Sequence, residues 1–229
     1  MSQRITISST DDHRIDAWRS DPDTAKGGIV ILHAVYGLTN HMGDVCDQFA
    51  AEGYAAIAPA LYDRIGPGIV HPYTADGVAA GRGSYGALSA EQILADVAAA
   101  ADALRDTVGN TGPVAVSGFC TGGTWAWIAA AELDFDAAVI FYGSQVPAHL
   151  DRTPRCPTIL HYGDRDRIVP IAEVGKIRAA HPALTHHIYP GGRHAFFNPA
   201  QESFDAGAAD LALRRSIDFL AQHPCGPAA

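Results

Sequence analysis

The sequence has little of what marks membrane, secreted or nucleic-acid-binding proteins. No apolar run approaches the about 18–20 residues that a membrane-spanning helix needs, and the start MSQRITISSTDDHR shows no secretory signal. Only 16 Lys and Arg stand against 25 Asp and Glu, and no basic cluster suggests a nucleic-acid or anionic-membrane surface. Four widely spaced cysteines without a CxxC pair predict neither a zinc ribbon nor a disulfide scaffold. Reduced thiols and a cytoplasmic location are therefore expected.

The composition favours a folded protein with a substantial core. Apolar residues make up 48% and charged residues 18% of the 229 residues, which excludes intrinsic disorder. No linker and no internal repeat divides the chain, so one domain over residues 1–229 is expected, as a monomer because the chain is small with an acidic surface. The Gly- and Pro-rich stretch 62–84 reads as a loop, either over a functional site or simply on the surface. The tail 223–229 is expected to fray.

Strand-like and helix-like segments alternate along the chain after an N-terminal hairpin. Strands are predicted at Arg4–Ser8, Arg14–Arg19, Gly28–His33, Tyr54–Pro59, Val114–Gly118, Ala137–Tyr142, Thr158–Gly163 and Thr185–Tyr189. Helices are predicted at His41–Glu52, Leu88–Val108, Gly122–Leu133, Ile171–Ala180 and Ala206–Gln222. This alternation predicts an α/β protein with a mostly parallel sheet of about eight strands, covered by helices on both faces.

A glycine-flanked cysteine follows one buried strand and opens the next helix. The residues are Gly118-Phe119-Cys120-Thr121-Gly122-Gly123, the pattern of a nucleophile elbow with cysteine in the serine position. Glycines at 118 and 122 remove the Cβ atoms that would obstruct such a sharp turn. The helix N-terminus favours a thiolate, and the N–H of Thr121 points to where an oxyanion would form. A buried structural cysteine is the alternative reading.

An acid and a base follow in the order that a catalytic triad on this kind of sheet requires. Asp164 and Asp166 both come after the strand Thr158–Gly163, and Asp166 is favoured because the run D-R-I-V-P begins there. His194 lies in a glycine-rich loop after the last strand. His33, His41, His71 and His161 show no metal-ligand spacing among them, so no metal and no cofactor is expected. The order of the three elements predicts a triad of Cys120, His194 and Asp166.

At this point the sequence resembles the dienelactone hydrolase (carboxymethylenebutenolidase) family. The likeness extends from about residue 28 to residue 220. The matching motifs are V-Y-G-L at 35–38, E-G-Y-A-A-I-A-P-A-L-Y at 52–62, G-F-C-T-G-G at 118–123, D-R-I-V-P at 166–170 and P-G-G-R-H-A-F at 190–196. The resemblance implies the α/β-hydrolase fold. It also implies that Cys120 is the nucleophile, His194 the base and Asp166 its orienting acid, with Val35 supplying a second oxyanion N–H beside that of Thr121.

The sequence departs from the family pattern at positions that matter for substrate choice. Ala34 stands where well-known members carry a glutamate, and Asn198 stands where they carry an arginine that binds the substrate carboxylate. Arg82 is a poorly aligned counterpart of a second arginine. Without the glutamate, Cys120 is expected to be more often ionised, although a neutral Cys–His pair is the alternative.

These residues together predict a hydrolase that cleaves a small-molecule carboxylic ester or lactone through a thioester acyl-enzyme. Two alternatives stay open at the level of sequence. The first is an acyltransferase or thioesterase that uses the same triad. The second is a binding protein that kept the fold and lost turnover.

Overall fold

The computed structural model describes residues 1–109 and 112–223. The strands are β1 (Gln3–Ser8), β2 (Arg14–Ser20), β3 (Gly27–Leu32), β4 (Tyr54–Pro59), β5 (Val114–Phe119), β6 (Ala137–Phe141), β7 (Thr158–Gly163) and β8 (Thr185–Tyr189). The α-helices are α1 (Asn40–Ala51), α2 (Ala75–Gly86), α3 (Ala90–Val108), α4 (Thr121–Glu132), α5 (Ile171–Ala180) and α6 (Ala206–Gln222). The prediction of a mostly parallel α/β sheet of about eight strands is confirmed. Apart from His223, the tail expected to fray lies outside the described residues.

The described chain forms two compact units, Met1–Ala115 and Val116–His223. In the first unit the strand order is β1-β2-β4-β3. The hairpin β1–β2 and the pair β2–β4 are antiparallel, whereas β3 and β4 run parallel. Both β3 and β4 are buried along their whole length, as expected of strands covered on both faces. The prediction of a single domain stays a prediction.

The stretch 62–84 contains more structure than the sequence predicts. It begins within a 3₁₀ turn, Leu61–Arg64, and includes most of α2, so the prediction of a loop is wrong for the helical part. Thr74 caps α2 by accepting a hydrogen bond from the N–H of Gly77 at 3.1 Å. A Cβ at Gly81 would lie 1.9 Å from the carbonyl oxygen of Val35. Tertiary packing, which periodicity does not report, therefore specifies this helix. Its expected place over a functional site stays a prediction.

A buried arginine ties three segments of the first unit together. The Arg64 side chain is 5% exposed and its guanidinium binds both oxygens of Asp96, each at 2.8 Å. It also binds both oxygens of Asp11 at 2.7 and 2.9 Å, and this contact holds the pKa of Asp11 below its usual value. Two bidentate pairs on one guanidinium satisfy most of its donors. The arginine thereby joins the turn between β1 and β2 to the 3₁₀ turn and to α3.

In the second unit the strand order is β5-β6-β7-β8, and β6, β7 and β8 pair in parallel. The fully buried His161 of β7 bonds the Tyr189 hydroxyl at 2.8 Å through Nδ1 and the Ser216 hydroxyl at 3.0 Å through Nε2. These contacts join β7 to β8 and to α6. Within the described ranges, no helix has the length and apolar character needed to cross a membrane.

Candidate active site

Cys120 occupies the turn between β5 and α4 in a conformation that few side chains adopt. Its φ is 56° and its ψ is −116°, outside the regions that L-residues favour. A Cβ on Gly118 would lie 2.2 Å from the carbonyl oxygen of Gly122, so the turn requires glycine at 118, as the sequence predicts. Gly123 is needed as well, since its Cβ would lie 2.9 Å from the Phe141 carbonyl oxygen. Sequence reasoning assigned no role to Gly123.

Backbone hydrogen bonds fix this turn against the end of β6. The N–H of Cys120 donates to the Phe141 carbonyl at 3.1 Å, and the Cys120 carbonyl accepts from the N–H groups of Ser144 and Thr124, both at 3.1 Å. Thr121 is the first residue of α4, so its N–H has no acceptor within the helix. The N-terminus of α4, with its positive dipole end, therefore lies directly beside the half-buried Cys120.

Asp166, rather than Asp164, faces the histidine. The Asp166 side chain is fully buried, and its Oδ2 lies 2.8 Å from Nδ1 of His194. Its Oδ1 accepts hydrogen bonds from the backbone N–H of Ile168 at 2.7 Å and of Val169 at 2.9 Å. Both carboxylate oxygens are thus occupied, and the bond to Nδ1 directs Nε2 of the imidazole to the opposite side.

The loops that carry Asp166 and His194 touch through their backbones. The N–H of Arg165 donates to the Gly192 carbonyl at 2.9 Å, and a Cβ on Gly163 would lie 2.1 Å from that same oxygen. Asp164, which the sequence suggested as a turn former, accepts a hydrogen bond from the Gly191 N–H at 2.7 Å. Sequence reasoning missed the requirement for glycine at 163. Its position at the end of a strand, directly before D-R-D, was the available signal.

The thiol and the imidazole interact electrostatically. Burial opposes ionisation of Cys120, but the charge of His194 and contacts with His194, Ser144 and Thr121 outweigh it and lower the pKa of the thiol. Burial likewise opposes protonation of His194, but Cys120 and Asp166 raise the pKa of the imidazole above its usual value. His194 Nε2 is buried and has no hydrogen bond of standard geometry among the described residues. The contact with sulfur is therefore longer or more bent than a standard hydrogen bond, which is common before substrate binds.

The structure also gives the location, exposure or hydrogen bonds of the other residues that the sequence analysis selected. Val35 lies just after β3 in the first unit and is 5% exposed. Asn198 is buried, and its Oδ1 accepts a hydrogen bond from the Ala200 N–H at 2.9 Å, so it stabilises a turn. Arg82 is exposed on α2, and the Ala34 side chain carries no ionisable group.

Comparison with known proteins finds a family whose members resemble this chain over most of its length. The model of the dienelactone hydrolase family matches residues 15–224. A carboxymethylenebutenolidase of Pseudomonas putida is 29% identical over 228 residues, covering 96% of this chain and 97% of the relative. A candidate carboxymethylenebutenolidase of Synechocystis sp. is 32% identical over 197 residues, covering 79% of this chain and 80% of the relative. The crystal structure of a candidate dienelactone hydrolase from Klebsiella pneumoniae aligns with a TM-score of 0.83 at 25% identity, covering 97% of this chain and 98% of that one. These matches confirm the α/β-hydrolase fold.

Proposed function

Since the chain belongs to the dienelactone hydrolase family and is a carboxylic ester hydrolase, we propose that it cleaves esters or lactones through a triad of Cys120, His194 and Asp166. The observation that carries this proposal is the arrangement within the second unit. A strained cysteine at a helix N-terminus interacts with an imidazole whose other nitrogen lies 2.8 Å from a buried carboxylate. That combination of nucleophile, base and orienting acid is the pattern of covalent acyl transfer.

The reaction proceeds in two steps. The thiolate of Cys120 attacks the carbonyl carbon, the C=O bond becomes a C–O⁻ single bond, and His194 then protonates the leaving alkoxide as the thioester forms. In a lactone that alkoxide stays attached to the acyl chain. Water then gives a proton to His194 and attacks the thioester, which releases the carboxylic acid and restores the thiolate. Asp166 holds Nδ1 protonated throughout and so keeps Nε2 on the reacting side.

Two backbone N–H groups hold the developing oxyanion in this scheme. The N–H of Thr121 is supported by its position at the first residue of α4. The N–H of Val35 is supported by the family resemblance of the V-Y-G-L motif. Loss of one such donor typically costs about 10²–10³ in rate.

The expected charge of the substrate follows from Asn198, which stands where the family pattern has an arginine that binds a carboxylate. Asn198 uses its side-chain oxygen to stabilise a turn, and a neutral amide in place of an arginine offers no bidentate clamp for a carboxylate. We therefore propose that uncharged esters or lactones are preferred over carboxylate-bearing lactones. Acyl transfer to an acceptor other than water stays an alternative. The cytoplasmic location, the monomeric state and the absence of a nucleic-acid partner stay predictions from the sequence.

The test compares wild type, Cys120→Ala and Cys120→Ser on a neutral aryl ester and on dienelactone. We expect wild type to favour the aryl ester, Cys120→Ala to lose at least about 10³-fold in kcat, and acid-quenched wild type to carry one acyl group on Cys120 by mass spectrometry. Full esterase activity in Cys120→Ala would contradict the triad. Equal or better turnover of dienelactone would contradict the preference for uncharged substrates.

The pH dependence of alkylation gives a second readout. The lowered pKa of Cys120 and the raised pKa of His194 mean that the thiolate–imidazolium pair exists at pH values between the two. Iodoacetamide should therefore alkylate Cys120 at pH values below the thiol's usual pKa of about 8.5, and the midpoint of the rate profile should lie below that value. In His194→Gln the midpoint of this profile should move upward, since the opposing cation is gone.

A further inference from the structure

Three consecutive carbonyl groups just after β3 each accept a hydrogen bond from a buried aromatic ring. The Tyr85 hydroxyl donates to the His33 carbonyl at 2.7 Å. Nδ1 of His33 lies 2.8 Å from the Ala34 carbonyl oxygen. The Tyr62 hydroxyl shares its proton between the Val35 carbonyl at 2.9 Å and the Gly81 carbonyl at 3.0 Å. The three donor side chains are almost entirely buried and pack against one another, with the His33 ring 4.8 Å from Tyr62 and 5.5 Å from Tyr85.

The middle hydrogen bond acts on the peptide group that ends in the Val35 N–H. The Ala34 carbonyl and the Val35 N–H belong to one planar trans peptide, so they point in opposite directions. The carbonyl also accepts from the Gly37 N–H at 3.2 Å. Fixing the oxygen with two donors fixes the direction of the N–H, and accepting hydrogen bonds polarises the peptide so that its N–H becomes a stronger donor.

The chemistry of His33 suits this task. A carbonyl oxygen can only accept, so Nδ1 of His33 carries the proton. Burial lowers the pKa of His33 to about 4, so the ring stays neutral in this tautomer at neutral pH. Its Nε2 is buried and has no hydrogen-bond partner among the described residues. A buried histidine that leaves one nitrogen unpaired while the other holds a backbone carbonyl incurs a desolvation cost.

We infer that His33 is a positioning residue for catalysis, which with Tyr62 and Tyr85 aims the Val35 N–H at the oxyanion. The observations concern the first unit alone, and the inference rests on the oxyanion role proposed above for Val35. His33 touches neither substrate nor nucleophile in this scheme. It acts through the backbone by keeping one donor oriented before substrate arrives, which is the requirement for electrostatic preorganisation.

Two substitutions of nearly equal shape isolate the hydrogen bond. His33→Asn places an amide N–H where Nδ1 stands, whereas His33→Leu fills similar space without a donor. With a neutral aryl ester, we expect His33→Leu to lose about 10- to 100-fold in kcat with KM within about twofold, because the donor is misaimed rather than removed. His33→Asn should recover most of that loss.

Alkylation by iodoacetamide separates this role from the triad. Displacement of iodide by the Cys120 thiolate forms no oxyanion, so its rate and pH profile should be unchanged in His33→Leu. The inference is overturned if His33→Leu turns over the ester within twofold of wild type. It is also overturned if alkylation falls together with ester turnover, or if His33→Asn is no better than His33→Leu. Failure of the triad itself would show differently, as ester turnover that survives Cys120→Ala.

A second pair of variants applies if His33→Leu does not fold. Tyr62→Phe keeps the ring but removes the donor that the Val35 and Gly81 carbonyls share, and we expect kcat to fall about 5- to 10-fold with alkylation unchanged. Tyr73→Phe is the matched control, because it also loses a hydroxyl in the first unit, one that bonds the Thr39 hydroxyl at 3.0 Å rather than a carbonyl of residues 33–35. Equal kcat losses in Tyr62→Phe and Tyr73→Phe, or no loss in Tyr62→Phe, would overturn the inference.

Discussion

The two units differ in the contacts that fix the backbone around their proposed site residues. In the second unit, glycines let main chain touch main chain, as where Gly163 meets the Gly192 carbonyl and Gly118 meets that of Gly122. The first unit has one such contact, of Gly81 with the Val35 carbonyl, but there side chains from distant segments also bond the backbone, as where Tyr62 and Tyr85 bond the carbonyls of residues 35 and 33. The contact of Gly118 with Gly122 leaves a compact motif in the sequence, whereas the contact of Gly163 with Gly192 joins residues 29 apart. The hydrogen bonds of the two tyrosines are spread over more than fifty residues and leave no motif.

The largest expected effect comes from filling the backbone contact of the second unit. In Gly163→Ala the new Cβ would lie 2.1 Å from the Gly192 carbonyl oxygen, so the loops carrying Asp166 and His194 must separate. We expect kcat on a neutral ester to fall by at least about 10³-fold, comparable to loss of the acid's orienting role. Steady-state kinetics together with thermal unfolding measure it.

Gly175→Ala is the matched control for that substitution. Gly175 lies on an exposed part of α5 where an added Cβ meets nothing within 4 Å. Activity should be unchanged and stability slightly higher, because alanine favours a helix over glycine. If Gly163→Ala kept more than a tenth of wild-type kcat, the contact between the two loops would not be what aligns Asp166 with His194.

The next effect concerns the side-chain contacts of the first unit. Arg64→Met leaves the Asp96 carboxylate, which is 1% exposed, without its partner. Breaking a buried ion pair in this way costs about 3–5 kcal/mol in free energy of unfolding, measurable by urea titration. The double variant Arg64→Met with Asp96→Leu should recover part of that loss, since no lone charge then remains buried. A loss unchanged or larger in the double variant would show that packing, and not charge, dominates.

The smallest effects come from two glycines of one helix, α2, and they should have opposite signs. Gly83→Ala adds a Cβ that meets nothing within 4 Å, and we expect a gain of about 0.5–1 kcal/mol in free energy of unfolding. Gly81→Ala would place its Cβ 1.9 Å from the Val35 carbonyl oxygen, which costs about 1–3 kcal/mol. Chemical denaturation of both variants checks the signs. A loss of stability in Gly83→Ala would contradict the open space at that position.

Much of the fold was predictable because the apolar periodicity of the segments, and the residues at which they begin and end, agree with the observed strands and helices. The bounds of β4, β7, β8, α5 and α6 are as the sequence predicts, and α3 begins with a capping box in which Ser89 and Gln92 bond each other's backbone N–H groups. Helix α2 was missed because its four glycines and lack of an apolar stripe remove the local signal. Its specification comes from Gly81 packing on the Val35 carbonyl, a contact 46 residues away in sequence that no local pattern reports.

The candidate site likewise contains residues that the sequence predicts and one that only the structure reveals. Cys120, Asp166 and His194 each follow a strand in a fixed order, so position selected them, and the choice of Asp166 over Asp164 agrees with the observed hydrogen bond to His194. The catalytic roles themselves stay proposals. His33 could not be selected, because a histidine at the end of a buried strand resembles any satisfied core histidine until its hydrogen bond to the Ala34 carbonyl is seen.

The arginine bridge of the first unit also sets an order of events during synthesis. Arg64 needs Asp11 from the first hairpin and Asp96 from α3, so the guanidinium cannot meet both partners until residue 96 has left the ribosome. Until then Arg64 can pair with Asp11 alone, and the buried half of the bridge, with Asp96, is not yet formed. Because domains generally fold as units, we expect the buried pair of Arg64 and Asp96 to form only when α3 packs, after the hairpin β1–β2 has been synthesised.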